Sequence, residues 1–170
     1  MFFSLAFKVS AAPFHFWTPD VYDGAPTVFT GFMATLVKVA AFAGFLRFFD
    51  HAFGGLKSTW QIWAGAVAVL TLIVGNITAV YQQSVKRLLA YSSIAQAGFM
   101  MLGLYGLGDV AREGMVLYAA SYSLATIGIF AVLTRMNDYT IDGFNGLAKK
   151  DPWIAAILAV CLLSLAGIPL

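Results

Sequence analysis

The strongest constraint on this chain is a series of apolar stretches that carry no charge and are long enough to cross a bilayer. About 30 Å of hydrocarbon takes roughly 20 apolar residues in a helix. Four charge-free runs reach that length: 58–85, 88–108, 114–134 and 152–170. A fifth run, 26–49, is long enough but holds Lys38 inside and Arg47 near its end, and a partial sixth run covers 1–12. A segment surrounded by lipid must satisfy its own backbone hydrogen bonds, so such runs form helices. The fold class that follows is all-α, a polytopic transmembrane helix bundle. Composition agrees: 61% of the 170 residues are apolar and 11% charged, where soluble domains run near a quarter charged.

The breaks between runs carry turn chemistry: Gly54-Gly55, Gly108-Asp109, Asp142-Gly143, Asn145-Gly146 and Asp151-Pro152. Pro152 suits a helix start with Asp151 as its N-cap. The expected helices are 1–12 (partial, broken near 13–25), 26–49, 58–83, 87–107, 112–136 and 152–170 (partial), in one membrane domain incomplete at both ends. The N-terminus meets Lys8 after seven residues and has no basic region ahead of its apolar stretch. It is a poor secretory signal and reads as the end of a helix whose beginning is missing. Trp17, Trp60, Trp63 and Trp153 fall near segment ends and read as an interfacial aromatic belt.

If crossings alternate, Lys86, Arg87, Arg135, Lys149 and Lys150 share one side, against Arg47, Lys57 and Arg112 opposite, which puts the first side in the cytoplasm. Ten basic and eight acidic residues leave a net charge of +2, too small and scattered for nucleic acid or an acidic substrate. The single cysteine, Cys161, lies in an apolar run and reads as a small buried residue rather than a metal ligand.

Two lysines do not fit the pattern of charges at helix ends. Lys38 stands twelve residues after Pro26 and nine before Arg47, ~18 Å and ~13 Å along a helix. Its stem does not snorkel that far, so it is expected to face a wet cavity or a polar partner. Lys8 precedes Ala11-Ala12-Pro13 and Pro19. Those residues free backbone carbonyls, as in a discontinuous helix lining a hydrated cavity, but a helix end with a snorkelling lysine stays open. Lysine suits proton relay because an ammonium kept from water can give up its proton as its surroundings change. Tyr118, Ser121 and Tyr122 share a helix face with Thr126 a turn beyond, and Ser92 and Gln96 share another. These groups either carry protons or water between lysines or only stabilise helix packing.

The stretch FKVSAAPFHFWTPDVYDGAPT at 7–27 resembles the proton-conducting antiporter-like membrane subunits of respiratory complex I, the NADH:quinone oxidoreductase. Its HFW and DVYDGAPT wording is closer to the subunit N branch than to the paralogues L and M. SVKRLLAYSSIA at 84–95 is similar to the family's other long motif, and LSLAGIP at 163–169 to the opening of a later one. The resemblance covers essentially the whole chain and implies a fragment of an inverted-repeat, antiporter-like fold containing a broken helix. It puts Lys8 on the family's broken-helix lysine, paired with a glutamate outside this chain, and Lys38 on the next helix's central lysine. Gln96 stands where paralogues have histidine, which leaves it as a hydrogen-bonding group only. His15 lies in the first motif and reads as a structural histidine, although imidazole titrates near neutral pH.

The implied activity is proton translocation through Lys8 and Lys38, with His15, Ser92, Gln96, Tyr118, Ser121 and Tyr122 as a supporting polar path. Driving energy would come from electron transfer in other membrane and peripheral subunits. The chain has no Gly-rich dinucleotide loop or cysteine cluster, so no cofactor or metal is expected in it. NADH, FMN, Fe–S clusters and quinone belong to the holo-complex. The implied location is a bacterial-type inner membrane, with lipid as a further partner. Two alternatives remain: a related Na⁺/H⁺ antiporter subunit and a non-conducting structural subunit.

Overall fold

The computed structural model describes residues 1–106 and 108–168. Leu107, Pro169 and Leu170, which the sequence puts at the ends of helices 87–107 and 152–170, lie outside the described residues.

Helix α1, Phe2–Lys8, stops sooner than the expected 1–12. Ser10 adopts a left-handed φ of 65°. The Ser10 amide donates to Phe7 O at 3.1 Å and the Ala11 amide to Ala6 O at 2.8 Å, the paired bonds of a Schellman ending with serine where glycine is usual. Three further hydrogen bonds tie the break down. The Ala12 amide donates to Thr71 Oγ1 at 2.9 Å, Thr18 Oγ1 to Ser10 Oγ at 2.7 Å, and Trp17 Nε1 to Phe7 O at 3.2 Å. Irregular backbone inside a bundle survives only under this condition. The chain resumes as α2, Trp17–Gly24, so part of the expected break is itself helical.

At Ala25 the backbone is extended, and Pro26 fixes the start of α3, Thr27–Phe32. A π-helical turn, Met33–Val37, joins α3 to α4, Lys38–His51. The expected uniform helix 26–49 is thus interrupted by one wide turn. Within it Thr35 Oγ1 donates to Gly31 O at 2.7 Å. Long helices follow, α5 Lys57–Val80, α6 Val85–Gly106 and α7 Asp109–Leu133, then the short α8, Leu147–Lys150, and α9, Pro152–Leu165. Asp151 caps α9 by accepting from the Ile154 amide at 3.3 Å.

Among the described residues, four helical stretches have the length and apolarity to cross a membrane: Thr27–Phe49, Gly54–Val80, Val85–Gly106 and Val110–Leu133. α5 and α6 pack most closely. A Cβ on Gly75 would sit 2.7 Å from Ala95 N, and one on Gly98 would sit 2.8 Å from Leu72 Cγ. Small residues let two backbones approach this way where no hydrophobic effect drives helices together. One apolar cluster gathers Phe42, Phe45, Phe49 and Trp60 with Met100 and Leu104, and another joins Tyr22, Leu89, Ile129, Leu133 and Leu158. Outer faces stay apolar and open, as at Ile62, Leu117 and Leu124.

Two sequence expectations change here. Trp60 is buried against Phe49, ring centroids 4.9 Å apart, and donates to Phe53 O. It is a core residue, whereas Trp63 and Trp153 are exposed as a belt requires. Lys86, read as an interfacial charge, is 5% exposed.

Candidate functional site: a buried lysine on a hydroxyl cluster

The first residue of α4 is Lys38, 3% exposed. Its Nζ donates to Ser93 O at 2.7 Å and also to Ser93 Oγ. Ser93 lies inside α6, so the wide turn of one helix aims the ammonium at the backbone and side chain of another. Tyr122 on α7 donates its hydroxyl to Ser93 Oγ at 3.0 Å, and the Tyr22 hydroxyl on α2 lies 3.3 Å from the same atom. A hydroxyl has two lone pairs and one hydrogen. With Lys38 and Tyr122 on the lone pairs, Ser93 has its own hydrogen left to give to Tyr22. Among the described residues no carboxylate forms an ion pair with Lys38, and the ion pairs present join Arg87 to Asp20 and Asp23. Among the described residues, the ammonium is met by a backbone carbonyl and a hydroxyl. Each hydroxyl can both give and take a hydrogen, which is the chemistry a proton relay needs.

A second polar rung lies along the same two helices. Tyr118, one turn before Tyr122, donates to Gln96 Oε1, and Gln96 Nε2 donates to Leu165 O at 2.9 Å near the end of α9. Gln96 also lines a cavity of about 400 Å³ with Asn76, Ser92 and Leu162. Thr126 is buried one turn beyond Tyr122. The structure therefore brings Lys38 and Tyr122 together, and pairs Tyr118 with Gln96.

It does not gather the remaining candidates. Ser121 is exposed on the outer face of α7, so the shared face read from the sequence belongs to Tyr118 and Tyr122 without it. Ser92 faces the cavity rather than Lys38. His15 is half-buried in the helix break and takes no part in the hydrogen bonds around Lys38. Lys8 ends α1 exposed, in a groove of about 810 Å³ between α1 and the helix carrying Lys38, lined by Leu5, Phe32, Leu36 and Ala40. Among the described residues it makes no hydrogen bond to Lys38 or to the hydroxyl cluster.

Sequence reasoning missed Ser93 and Tyr22. Ser93 was open to detection, since it sits three residues before Gln96 on the same helix. Tyr22 was visible only as a letter of the DVYDGAPT motif. No group of three or more His, Cys, Asp or Glu side chains suited to a metal occurs among the described residues.

Comparison with known proteins gives consistent relatives. The profile of the family described as "NADH:quinone oxidoreductase/Mrp antiporter, TM" matches residues 1–170. NADH-quinone oxidoreductase subunit N of Desulforamulus reducens is 45% identical over 169 residues, which cover 97% of this chain and 36% of that protein. The subunit of the same name from Moorella thermoacetica is 46% identical over 170 residues, covering 96% of this chain and 35% of its own length. The chain thus spans about a third of the length of the curated relatives it matches. Among solved structures, respiratory complex I from Thermus thermophilus with bound aureothin contains a chain 42% identical, with a TM-score of 0.83 over 97% of this chain and 36% of that one. The Mrp complex from Dietzia sp. DQ12-45-1b gives a TM-score of 0.91 at 23% identity, over 98% of this chain and 32% of its counterpart, a likeness of fold.

Proposed function

The chain belongs to the NADH:quinone oxidoreductase/Mrp antiporter transmembrane family, and on that premise we propose that it is part of a proton-translocating membrane subunit of an NADH:quinone oxidoreductase. The observation that carries this reading is Lys38, buried within an apolar span and bonded to Ser93 beside Tyr22 and Tyr122. An ammonium at such a depth costs a few kcal/mol, and a purely structural subunit has no reason to keep it. The names of the relatives in Desulforamulus and Moorella support the enzyme complex, and a multi-pass position in a bacterial-type inner membrane goes with it.

In this reading Lys38 takes up a proton, and its hydrogen bond to Ser93 passes the charge to a cluster that reorients hydroxyl by hydroxyl. Lys8, at the break of α1, supplies or withdraws the proton as the complex changes conformation. Electron transfer takes place in partner subunits, where NADH, FMN, Fe–S clusters and quinone are bound. This chain's own part is to hold and move protons.

The experiment is Lys38→Ala in the full-length subunit within the assembled complex, scored as protons moved per NADH oxidised. The ratio is expected to fall, and a ratio equal to wild type would sink the role of Lys38. Sodium exchange is the rival chemistry, and a sodium-dependent pH gradient in vesicles without any NADH-oxidising partner would favour it. The site speaks for protons: its centre is a cation donor, and Na⁺ needs oxygen ligands free of competing positive charge.

A further inference from the structure

Lys86 is the second buried lysine of the chain, and the relay just described does not use it. Its Nζ donates to Ala25 O at 3.1 Å and stands 4.3 Å from the centroid of the Tyr139 ring. Ala25 is the extended residue between α2 and α3, so its carbonyl belongs to neither helix's ladder. The negative end of α2 adds to the attraction for a cation at that place. Tyr139 closes the other side, its hydroxyl 3.1 Å from Thr27 Oγ1 at the first residue of α3. Two limbs leave this junction. α2 runs back to Tyr22, and α3 runs forward through the wide turn to Lys38; both side chains converge on Ser93.

We infer that Lys86 is a positioning residue that pins the α2–α3 junction to α6 and so sets Tyr22 and Lys38 against Ser93. The inference rests on the relay reading of Lys38. Two neighbouring contacts reach the same helix: Arg87 pairs with Asp20 at 2.9 Å, and Ser84 donates to Asp23 at 2.9 Å. Both are exposed, where ion pairs contribute little. Lys86 differs because its own side chain is buried, because its loss takes the donor from the half-buried Ala25 carbonyl, and because the ring of Tyr139 holds its charge from the opposite side. Tyr139 belongs to the connection between α7 and α9, which is tied to the start of α6 through the Val85 amide to Tyr139 O at 2.7 Å and the Ile141 amide to Gln83 O at 3.1 Å. The pin therefore joins the helix break to a corner that is hydrogen-bonded to the start of α6.

The test uses the full-length subunit in its complex, with Lys38→Ala as reference. Lys86→Met keeps the stem and removes donor and charge. Protons per NADH are expected to fall about threefold, the size of a modest coupling between sites, while NADH oxidation with an artificial acceptor holds. Lys86→Arg, which can still donate to Ala25 O and lie on the ring, is expected to restore most of the loss. Tyr22→Phe combined with Lys86→Met is expected to be no worse than the more severe single change, because both act through the Tyr22 contact to Ser93 that Lys86 helps to set. A wild-type ratio in Lys86→Met, or losses that simply multiply in the pair, would overturn the inference while leaving Lys38 untouched. A wild-type ratio in Lys38→Ala would remove the relay reading itself. If the Lys86→Met subunit fails to assemble, Tyr139→Leu takes its place: a reduced ratio supports the pin, and an unchanged one overturns it.

Discussion

Lys38 and Lys8 are the same residue in the same kind of apolar helix, yet they end in opposite environments. Lys38 is enclosed by three helices and bonded at Ser93, whereas Lys8 is exposed in an open groove. The difference comes from the neighbours. Lys38 follows the wide turn that faces α7, and α6 presents a serine to it. Lys8 ends a helix whose next residues turn inward, leaving the lysine at the rim. An apolar run around a lysine thus states that the charge must be accommodated, and the packing of other helices decides how.

Replacing each lysine by methionine breaks this comparison most strongly. Lys38→Met is expected to lower proton pumping more than tenfold, and yet to raise thermal stability by ~1–4 kcal/mol, since an apolar isostere avoids burying a charge. Lys8→Met is expected to change stability by less than ~0.5 kcal/mol, as for an exposed site. Melting of the purified complex together with proton-to-NADH ratios separates the two. Equal stability changes at both positions would show that their environments are alike in the assembled protein.

Ser93→Ala sharpens the Lys38 side. It removes the hydroxyl but leaves the carbonyl that Lys38 also uses, so the expected loss in pumping is about tenfold, equivalent to one charge-assisted hydrogen bond of ~1.5 kcal/mol. Full pumping would mean that the carbonyl alone serves. Thr71→Val sharpens the Lys8 side by leaving the Ala12 amide without its partner, at a cost of ~1–3 kcal/mol. Faster amide exchange confined to residues 9–18 is the measurement, and unchanged exchange would show that water or another group satisfies Ala12. The smallest effect is expected at Ser121→Ala. An exposed hydroxyl on α7 should shift stability by less than ~0.5 kcal/mol and leave pumping as it was; a pumping defect would return Ser121 to the path.

The legible and illegible parts of this site divide along a physical line. Lys38 was readable because its distance from either helix end exceeds the reach of its stem. The break after α1 was readable from Ala11-Ala12-Pro13 and Pro19, though not its ending at Ser10, since a left-handed serine is uncommon and nothing local announces it. Ser92 and Ser93 are adjacent and stand ~100° apart around α6, and which of those bearings meets Lys38 is set by the packing of α4 and α7 against α6 rather than by the sequence of α6. Trp60 and Lys86 were misplaced for one shared reason. Proximity to a segment end is a statement about the chain, while burial depends on which other segment lies across it, here α4 for Trp60 and the Tyr139 corner for Lys86.

The wide turn at Met33–Val37 also governs direction. Each residue advances an α-helix by about 100°, so a turn that absorbs one residue beyond the regular number resets the compass bearing of everything after it. Were the stretch wound as a regular α-helix at its present length, Lys38 would swing by about a quarter circle away from Ser93, whereas trimming the surplus residue would restore a regular helix with Lys38 near its present bearing. The bearing of the ammonium thus depends on the surplus residue being taken up in one wide turn, and the width of that turn is as much a part of the site as the lysine itself.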